Sequence, residues 1–392
     1  MLKLIRFYES RGIRVVKALN QYLWNSEGKK YLDFHTGHGV AFLGHNNPYI
    51  IKSVISQLSK VSVLSTSFDI DVREEMLDVL SKVVPKHLTY TYLLNSGSEA
   101  VELALKLARK VTGRKSFVAL KGSFHGRTFG ALSLTWNPKY RKSFEPLLGD
   151  VRFINPGNVN DVDAVINEDV AAVVVEVVQG EGGVNVIDGS FLKEISKRAL
   201  EVGALFIVDE VQTGFGRTGR IWAHEYHGLK PDIMVAGKAL GGGFPVSAVF
   251  TTEYVASKVS KGDHGSTYGG NPIACAAVKA STEVLIKESV PERALTSGSK
   301  LKNLLINELK GLRIVRNVKG LGLMLGVELR IPPGNVIKCV QEHGVITLKA
   351  GTTVIRMLPP YMINEEDITW GVKAVSKCIK ELNDRITHGS IK

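Results

Sequence analysis

Two charged side chains, a carboxylate and an amine, each follow a short apolar segment of the chain. Asp209 comes directly after the apolar run 204–208, and Lys238 follows a second predicted strand over 232–236. Open α/β sheets present catalytic groups at the carboxyl ends of their strands, so the two charges are expected to face one site. A lysine that is held out of water there has a lowered pKa and becomes a nucleophile towards an aldehyde.

The residues around Lys238 favour this chemistry over the alternative of an ordinary solvated lysine. Gly237 precedes it and the glycines at 241–243 follow it, so the backbone is free to bend sharply there. A carboxylate such as Asp209, placed against a pyridine nitrogen, keeps that nitrogen protonated. This arrangement makes pyridoxal phosphate an electron sink.

The glycines at 214, 216 and 219 satisfy the G-x-G-x-x-G pattern of dinucleotide-binding loops. Such a loop needs a strand directly before it, a helix directly after it and an acid about 20 residues later. Here Asp209 and Glu210 precede the glycines, and no helix is predicted after them. A nicotinamide site is therefore not favoured.

The segment 209–219, taken together with Lys238, resembles the signature of the class III pyridoxal-phosphate aminotransferases. This family includes the acetylornithine, ornithine and 4-aminobutyrate aminotransferases, and the resemblance covers nearly the whole chain. It implies an α/β protein with the fold type I of pyridoxal-phosphate transferases. A large domain with a mostly parallel sheet would span 51–285. A small α+β domain would be built from the two chain ends, 1–50 and 286–392.

Three segments carry simpler structural expectations. The valine-rich run 170–177 is typical of a parallel strand that is buried on both faces. Residues 70–89 are predicted to be helical. The segment 320–328 is predicted to be a single strand of the small domain.

A loop of small residues before a predicted helix is a natural phosphate site, because free N–H groups and the helix dipole point at the anion. Ser96 and Glu99 fit a capping box that starts the helix predicted over 100–111. In the family this loop holds the cofactor phosphate, and the resemblance gives that role to Gly97 and Ser98.

The resemblance implies further contacts with the cofactor. Lys238 would hold pyridoxal phosphate as a Schiff base, and Asp209 would bind the pyridine nitrogen. Phe124 would stack on the ring, where a flat apolar face excludes water, and Gln212 would hydrogen-bond the phenolic oxygen. Thr267 would reach the phosphate of the neighbouring subunit, so the active unit is expected to be at least a homodimer.

The resemblance also implies four substrate-binding residues, Arg127, Glu181, Ser266 and Arg356. Arg127 and Arg356 would bind carboxylates, which the planar guanidinium suits. Glu181 would pair with Arg356 and swing aside when glutamate binds, and Ser266 would lie near the substrate. A surface ion pair for Arg127, and a purely structural pair between Arg356 and Glu181, are the alternatives.

His38 and His45 lie in a glycine-rich stretch, 36–45, that lines the substrate entrance in the family. Each is predicted to be a packed or capping histidine, with a role in the site as the alternative. Residues 37–40 differ in identity from those of many relatives, so the resemblance does not define the side-chain specificity at this position.

The composition limits the class of protein. The 392 residues carry a net charge of +12, and 44% are hydrophobic, which is typical of a globular chain. No nucleic-acid-binding module is recognisable, and no apolar run reaches the roughly 20 residues of a membrane helix. No signal peptide and no metal site are predicted. Cys275, Cys339 and Cys378 form no predicted disulfide framework, which favours the reducing cytoplasm.

The predicted function is that of an ω-aminotransferase, which exchanges an amino group between glutamate and 2-oxoglutarate on one side and a terminal semialdehyde on the other. The chain resembles most the acetylornithine-type members of lysine and arginine biosynthesis that act on aminoadipate or glutamate semialdehyde bound to a small acidic carrier protein of the LysW type. The basic charge fits such a partner, because complementary charge raises the encounter rate; a merely soluble basic surface is the alternative.

Other functions remain open from the sequence. The nearest is an aminotransferase for free N-acetylornithine or 4-aminobutyrate. More distant are a glutamate-1-semialdehyde aminomutase and a non-catalytic binding protein of the same fold, although the presence of both Lys238 and Asp209 argues against the latter.

Overall fold

The structure, a computed structural model, describes residues 2–387. Its strands are β1 (Val15–Leu19), β2 (Tyr22–Asn25), β3 (Lys30–Asp33), β4 (Tyr90–Leu94), β5 (Ser116–Leu120), β6 (Val151–Ile154), β7 (Val170–Val175), β8 (Val178–Gln179), β9 (Asn185–Val186), β10 (Leu205–Asp209), β11 (Ile233–Ala236), β12 (Ser247–Thr251), β13 (Val315–Leu321), β14 (Met324–Leu329), β15 (Val345–Ile346), β16 (Leu348–Ala350) and β17 (Val354–Met357).

The helices are α1 (Thr36–Gly39), α2 (Pro48–Leu58), α3 (Asp71–Leu80), α4 (Gly97–Thr112), α5 (Phe129–Ser133), α6 (Pro138–Arg141), α7 (Asn160–Val165), α8 (Gly189–Val202), α9 (Glu253–Ala256), α10 (Pro272–Lys287), α11 (Val290–Leu309), α12 (Gly334–Glu342) and α13 (Glu365–Thr387). Short 3-10 helices span Val40–Leu43, Lys142–Phe144, Ala223–His227 and Lys238–Gly241. Within the described residues, no helix combines the length and apolar character that crossing a membrane requires.

Seven strands form the central sheet in the order β4-β12-β11-β10-β7-β5-β6. β10 lies parallel between β7 and β11, with Ile207 opposite Val174 on one side and Ile233 on the other. Every residue of β5, β7, β10, β11 and β12 is buried. Continuous apolar runs are what a sheet covered on both faces requires, and the predicted mostly parallel sheet is confirmed.

The carboxyl ends of the parallel strands meet at one edge of this sheet. β12 is antiparallel to both of its neighbours, so β4 has the same direction as the parallel strands and ends at that edge too. The segments that leave this edge carry most of the polar residues singled out above: 95–98 after β4, 121–127 after β5, 176–181 after β7, 210–213 after β10 and 237–241 after β11.

Two smaller sheets bring the chain ends together. One has the order β1-β2-β3-β15, in which β15 pairs in parallel with β3, so that Val345 lies opposite Leu32. The other has the order β13-β14-β17-β16 and carries Arg356 in β17. This matches the small α+β part expected from the two ends. The boundaries at 50 and 285 stay predictions.

Two of the expected elements are shorter than predicted. The segment 320–328 is not one strand, since β13 and β14 form a hairpin around Gly322. That glycine has φ +52°, and a Cβ there would lie 2.4 Å from the carbonyl carbon of Thr218, so close approach of another backbone fixes the turn. The helix predicted over 70–89 ends at Leu80.

The cysteine prediction was wrong, because Cys339 and Cys378 form a disulfide. Cys339 lies on α12 and Cys378 on α13, and the packing of these two helices brings together residues that are 39 positions apart. Cys275 is free and buried. The cysteines therefore no longer favour a reducing compartment.

Reduction of the Cys339–Cys378 disulfide is expected to destabilise the protein, because the bond closes a loop across 39 positions and restricts the unfolded chain. We expect a loss of about 2–4 kcal/mol in the free energy of unfolding. Thermal unfolding with and without dithiothreitol measures it.

The control is the double variant Cys339→Ser/Cys378→Ser, which should unfold at the lower temperature whether or not the reductant is present. A wild-type unfolding curve that does not move, although thiol titration shows full reduction, would contradict the prediction.

Candidate active site

Lys238 lies directly after β11, in a conformation that its neighbours impose. Its φ is +47°, in the left-handed region that costs an ordinary residue roughly 1–2 kcal/mol. The 3-10 helix that it begins follows the extended Gly237. Burial lowers the pKa of the Lys238 amine to about 8, against the charge of Glu181, which raises it. The sequence-based prediction of a lysine with a lowered pKa has this physical origin.

Asp209 ends β10 and is buried. Its Oδ2 lies 2.7 Å from Nδ1 of His125, and its Oδ1 accepts a hydrogen bond from the backbone N–H of Val211 at 3.0 Å. Burial lowers the pKa of His125, but the hydrogen bond and charge of Asp209 outweigh this, so that the pKa is raised. The imidazole therefore fixes the orientation of the Asp209 carboxylate.

His125 was not predicted as a site residue, although it directly follows Phe124, which was. Its side chain is buried, and its Nε2 has no hydrogen-bond partner among residues 2–387. In the sequence, only the position of His125 next to Phe124 pointed to the site. Its contact with Asp209 could not be predicted, because it joins the loop after β5 to the end of β10.

Glu176 is a second buried acid that the sequence did not single out. Its Oε1 accepts a hydrogen bond from the backbone N–H of Phe124 at 2.9 Å, and its Oε2 accepts one from Gly180 at 3.2 Å. Burial raises the pKa of Glu176 to about 7, although the nearby His125 opposes the shift. The sequence could have indicated Glu176, because a carboxyl group that directly follows an apolar buried strand is a candidate site residue.

The start of α4 is held against the segment after β10. Ser96 and Glu99 form the predicted capping box, in which Ser96 Oγ accepts from the Glu99 N–H at 3.3 Å and Glu99 Oε2 accepts from the Ser96 N–H at 2.7 Å. A Cβ on Gly97 would lie 2.8 Å from Cγ1 of Val211. Ser98 Oγ accepts from the backbone of the 121–127 loop at 3.1 Å.

Arg356 is fully buried in β17 and is surrounded by site residues. Its Nη2 lies 2.6 Å from Oε1 of Glu181, and its Nη1 donates to Oε1 of Gln212 at 2.9 Å. The Nε has no partner among the described residues. Burial raises the pKa of Glu181, but Arg356 and Lys238 outweigh it and leave the pKa lowered. Glu181 is therefore an ionised partner of Arg356.

Gln212 thus makes a contact that was not predicted. Its side-chain oxygen is bonded to Arg356, while the expectation from the sequence concerned only the phenolic oxygen of a cofactor ring. The side-chain oxygen of Gln212 accepts from Arg356, so its amide NH₂ group is left to donate a hydrogen bond to the phenolic oxygen of a cofactor.

The other residues singled out in the sequence lie farther from this network. Arg127 is exposed, and its guanidinium stacks 4.0 Å from the ring centre of Tyr140 and 5.5 Å from that of Phe124. Within residues 2–387, no acidic side chain forms an ion pair with it. Ser266 accepts from the backbone of its own loop at 3.0 Å, and Thr267 is exposed. No hydrogen bond within the described chain joins these residues to Lys238 or Asp209.

This arrangement fits a phosphorylated pyridine aldehyde. Lys238 offers an amine of lowered pKa, and Asp209 offers a carboxylate that a buried histidine orients. The start of α4 offers free N–H groups of a helix of 16 residues for a phosphate. Each of the three features follows a different strand of the same sheet edge, so one bound molecule can contact all three.

Comparison with known proteins agrees with this chemistry. The family model described as aminotransferase class-III matches residues 7–379. A transaminase of Sulfolobus acidocaldarius, named [LysW]-aminoadipate semialdehyde/glutamate semialdehyde transaminase, is 52% identical over 94% of this chain and 95% of its own. The acetylornithine aminotransferase of Bacillus cereus is 41% identical over 96% of this chain and 97% of its own.

A solved structure supports the same fold. The ornithine aminotransferase of Toxoplasma gondii, reported with partial occupancy of PLP at its active site, superposes with a TM-score of 0.91 at 30% identity. The match covers 97% of this chain and 93% of that one. The predicted fold type I is confirmed.

Substitution Gly97→Ala is expected to weaken the binding of pyridoxal phosphate. The added Cβ would lie 2.8 Å from Val211 Cγ1, so the start of α4 must move away from the segment after β10. Overpacking of this kind costs about 1–3 kcal/mol, which corresponds to roughly 5- to 150-fold in the dissociation constant if it falls on the bound state. Titration of the apoenzyme with pyridoxal phosphate measures it.

The matched control is the double variant Gly97→Ala/Val211→Ala, which restores the space and should recover most of the affinity. Equal affinities of Gly97→Ala and the wild type would show that the close contact does not position the helix start.

Proposed function

The chain belongs to the class III aminotransferases, and on this premise we propose that it exchanges amino groups between glutamate and a terminal semialdehyde bound to a small acidic carrier protein. That the protein is a pyridoxal-phosphate-dependent aminotransferase follows from the family itself. The carrier-linked substrate rests on one observation, the 52% identity with the Sulfolobus acidocaldarius transaminase of that name. The net charge of +12 supports an acidic partner.

Pyridoxal phosphate supplies, when bound, an electron sink for the charge that develops on the substrate carbon. We assign its phosphate to Gly97 and Ser98, because the start of α4 offers unpaired N–H groups. Asp209 would bind the ring nitrogen, and Lys238 would be the point of covalent attachment. Phe124, which is half-buried and whose N–H is fixed by a buried acid, would cover the ring.

Lys238 is the proton carrier in this proposal. With a pKa of about 8, its free amine takes up and returns a proton at the substrate carbon near neutral pH. Asp209 is held by His125, whose pKa it raises and whose Nδ1 lies 2.7 Å from its Oδ2. The carboxylate therefore stays in place while charge redistributes next to it.

Arg356 would bind a carboxylate of glutamate or 2-oxoglutarate. It is buried and positively charged, and Glu181 neutralises it in the absence of substrate. Displacement of Glu181 would admit the dicarboxylic substrate. Arg127, exposed and stacked on Tyr140, would bind the carboxylate of the other substrate. Ser266 would lie near the substrate.

A homodimer is part of the proposal. Thr267 is exposed and lies on the loop that leads into α10, where it is free to contact the cofactor phosphate of a neighbouring subunit. A cytoplasmic location is proposed as well, and it rests on the metabolites glutamate and 2-oxoglutarate rather than on the cysteines.

Free N-acetylornithine is the second candidate for the amine. It is supported by the acetylornithine aminotransferase of Bacillus cereus, which is 41% identical over 96% of this chain. Both candidates require the same residues at the site, so only the choice of substrate separates them.

Substitution Lys238→Ala is expected to lower turnover by more than about 10³-fold, because it removes the proton carrier. The variant should still bind pyridoxal phosphate, since the phosphate and ring-nitrogen contacts remain. Single-turnover absorbance of the cofactor after addition of glutamate measures the loss.

Lys230→Ala is the matched control, because Lys230 is exposed and lies outside the site; it should react like the wild type. An active Lys238→Ala enzyme would remove Lys238 from the proposed role.

The carrier-linked amine is expected to have a higher kcat/KM than free N-acetylornithine, with 2-oxoglutarate as the acceptor. Protein surface outside the pocket would then contribute to binding, and charge attraction would contribute to the encounter rate. Added salt should reduce the carrier-linked kcat/KM more than that of the free amine, because exposed charges are screened.

The measurement is initial rates for both amines over a series of salt concentrations. A ratio near or below one, with the same salt dependence for both, would instead favour the free N-acetylornithine activity.

A further inference from the structure

We propose that His38 is a positioning residue that receives the carboxylate of Glu181 when a substrate carboxylate displaces it from Arg356. This inference rests on the proposed function, since it concerns the glutamate-binding side of that reaction. It gives the displaced acid a defined partner.

The need for such a partner follows from the surroundings of Arg356. The guanidinium is fully buried, and each of its two terminal nitrogens already has a partner, Glu181 on one and Gln212 on the other. A substrate carboxylate that binds through both nitrogens must therefore take the place of Glu181. The side chain of Glu181 is only 22% exposed, and a carboxylate of that burial is unfavourable without a partner.

Three cationic or titratable groups interact electrostatically with Glu181, namely Arg356, Lys238 and His38. Arg356 binds the substrate carboxylate and is no longer available to Glu181. Lys238 is committed to the cofactor and to proton transfer. His38 is the remaining group of the three, and a protonated imidazole forms a charge-assisted hydrogen bond with a carboxylate.

His38 is held in place by contacts on several sides. Its backbone is left-handed, with φ +60° and ψ +33°, a conformation that persists in an ordinary residue only when the surroundings impose it. Its N–H donates to Nδ1 of His35 at 3.2 Å, and the two rings meet edge to face with centroids 4.4 Å apart. The ring of Tyr8 lies on another side, at 5.5 Å between centroids.

The turn that carries His38 is fastened to the strand that carries Arg356. Thr36 Oγ1 donates to the carbonyl of Leu358 at 2.7 Å, and the N–H of Leu358 donates to the carbonyl of Phe34, also at 2.7 Å. Leu358 is two residues beyond Arg356. The distance between His38 and Arg356 is therefore fixed by backbone contacts, while Glu181 belongs to a separate loop after β8 and can change partners.

Burial, together with nearby positive charges, favours the neutral imidazole of His38 before substrate binds. Burial lowers the pKa of His38, as do Arg356, Lys238 and Arg11, whereas Glu181 raises it. His35, on the same turn, is itself neutral, because burial and the proximity of His38 lower its pKa to about 4.

Binding of glutamate changes this balance in one direction. The substrate carboxylate replaces Glu181 as the partner of Arg356, and Glu181 moves onto His38. The negative charge that Glu181 brings to the imidazole raises the pKa of His38. A proton is then taken up from solvent as glutamate binds. By linkage, the affinity for glutamate is greatest at low pH and falls as the pH rises between the pKa of the free form and that of the bound form, by at most tenfold per pH unit.

The test compares His38→Asn with the wild-type holoenzyme. Asparagine tolerates the left-handed backbone but does not titrate. Single-turnover absorbance of the cofactor gives the apparent dissociation constant for glutamate across pH, and the same assay with an amine that lacks the second carboxylate gives the other half-reaction. We expect His38→Asn to bind glutamate about tenfold more weakly at low pH, to lose the pH dependence, and to react with the amine like the wild type.

His87→Asn is the matched control, since His87 is half-buried against the carbonyl of Pro231 outside the site; it should keep the wild-type pH profile. An unchanged glutamate profile in His38→Asn would overturn the proposal. So would an equal loss in both half-reactions, which is the result of a merely structural role.

A measurement on the wild type keeps the proposal testable if His38→Asn does not fold. Calorimetric titration of glutarate, a dicarboxylate with no amino group to react with the cofactor, in two buffers of different ionisation enthalpy counts the protons taken up when the carboxylate binds, and we expect up to one. No proton uptake would overturn the role of His38 while leaving the aminotransferase proposal intact. Failure of the wild type to react with any amine in the presence of 2-oxoglutarate would instead overturn the proposed function.

Discussion

A fully buried guanidinium, that of Arg217, joins the three parts of the chain from which the active site is built. Its Nη1 donates to the carbonyls of Leu323 and Pro359 at 3.1 and 2.5 Å, and its Nη2 donates to that of Gly39 at 3.3 Å. Burial lowers the pKa of Arg217 to about 9. Within residues 2–387 no carboxylate pairs with it, so these backbone oxygens satisfy a charge that is costly to bury.

The consequence of that contact is a fixed relation between the large sheet and the small domain. Arg217 belongs to the segment after β10, Leu323 to the turn between β13 and β14, and Pro359 follows β17. Arg356 lies in β17 and Lys238 follows β11. The planar guanidinium of Arg217 donates in fixed directions and so holds these elements in fixed positions. The ammonium group of a lysine has no such fixed directions. The position of Arg356 relative to Lys238 therefore depends on Arg217.

Two glutamates of the site have pKa values that are shifted in opposite directions by their surroundings. Glu176 lies in a buried position where its pKa is raised to about 7, while Glu181, beside Arg356 and Lys238, has a lowered pKa. Lys238 has a pKa of about 8 for the same reason that Glu176 has a raised one, which is removal from water. Two side chains of the same type, Glu176 and Glu181, thus differ in pKa only because their surroundings differ.

Much of the framework could be predicted because it depends on local pattern. The apolar runs before Asp209 and Lys238 form β10 and β11, and the capping box at Ser96 starts α4, since each signal acts within a few residues. The hairpin at Gly322 and the Cys339–Cys378 disulfide were not predicted. They depend on the approach of distant backbone and on the packing of two helices.

The sequence by itself determined which residue types reach one edge of the sheet, because strand periodicity and glycine placement are encoded locally. The family resemblance implied the pair of Arg356 and Glu181, but the partners of Asp209 and Glu210 did not follow from the sequence. Asp209 and Glu210 are neighbours, yet Asp209 contacts His125 while Glu210 accepts from the N–H of His224 at 2.8 Å on the other side. Only the tertiary structure decided this, because the last residue of β10 and the residue after it point to opposite sides, and their partners come from elsewhere in the chain.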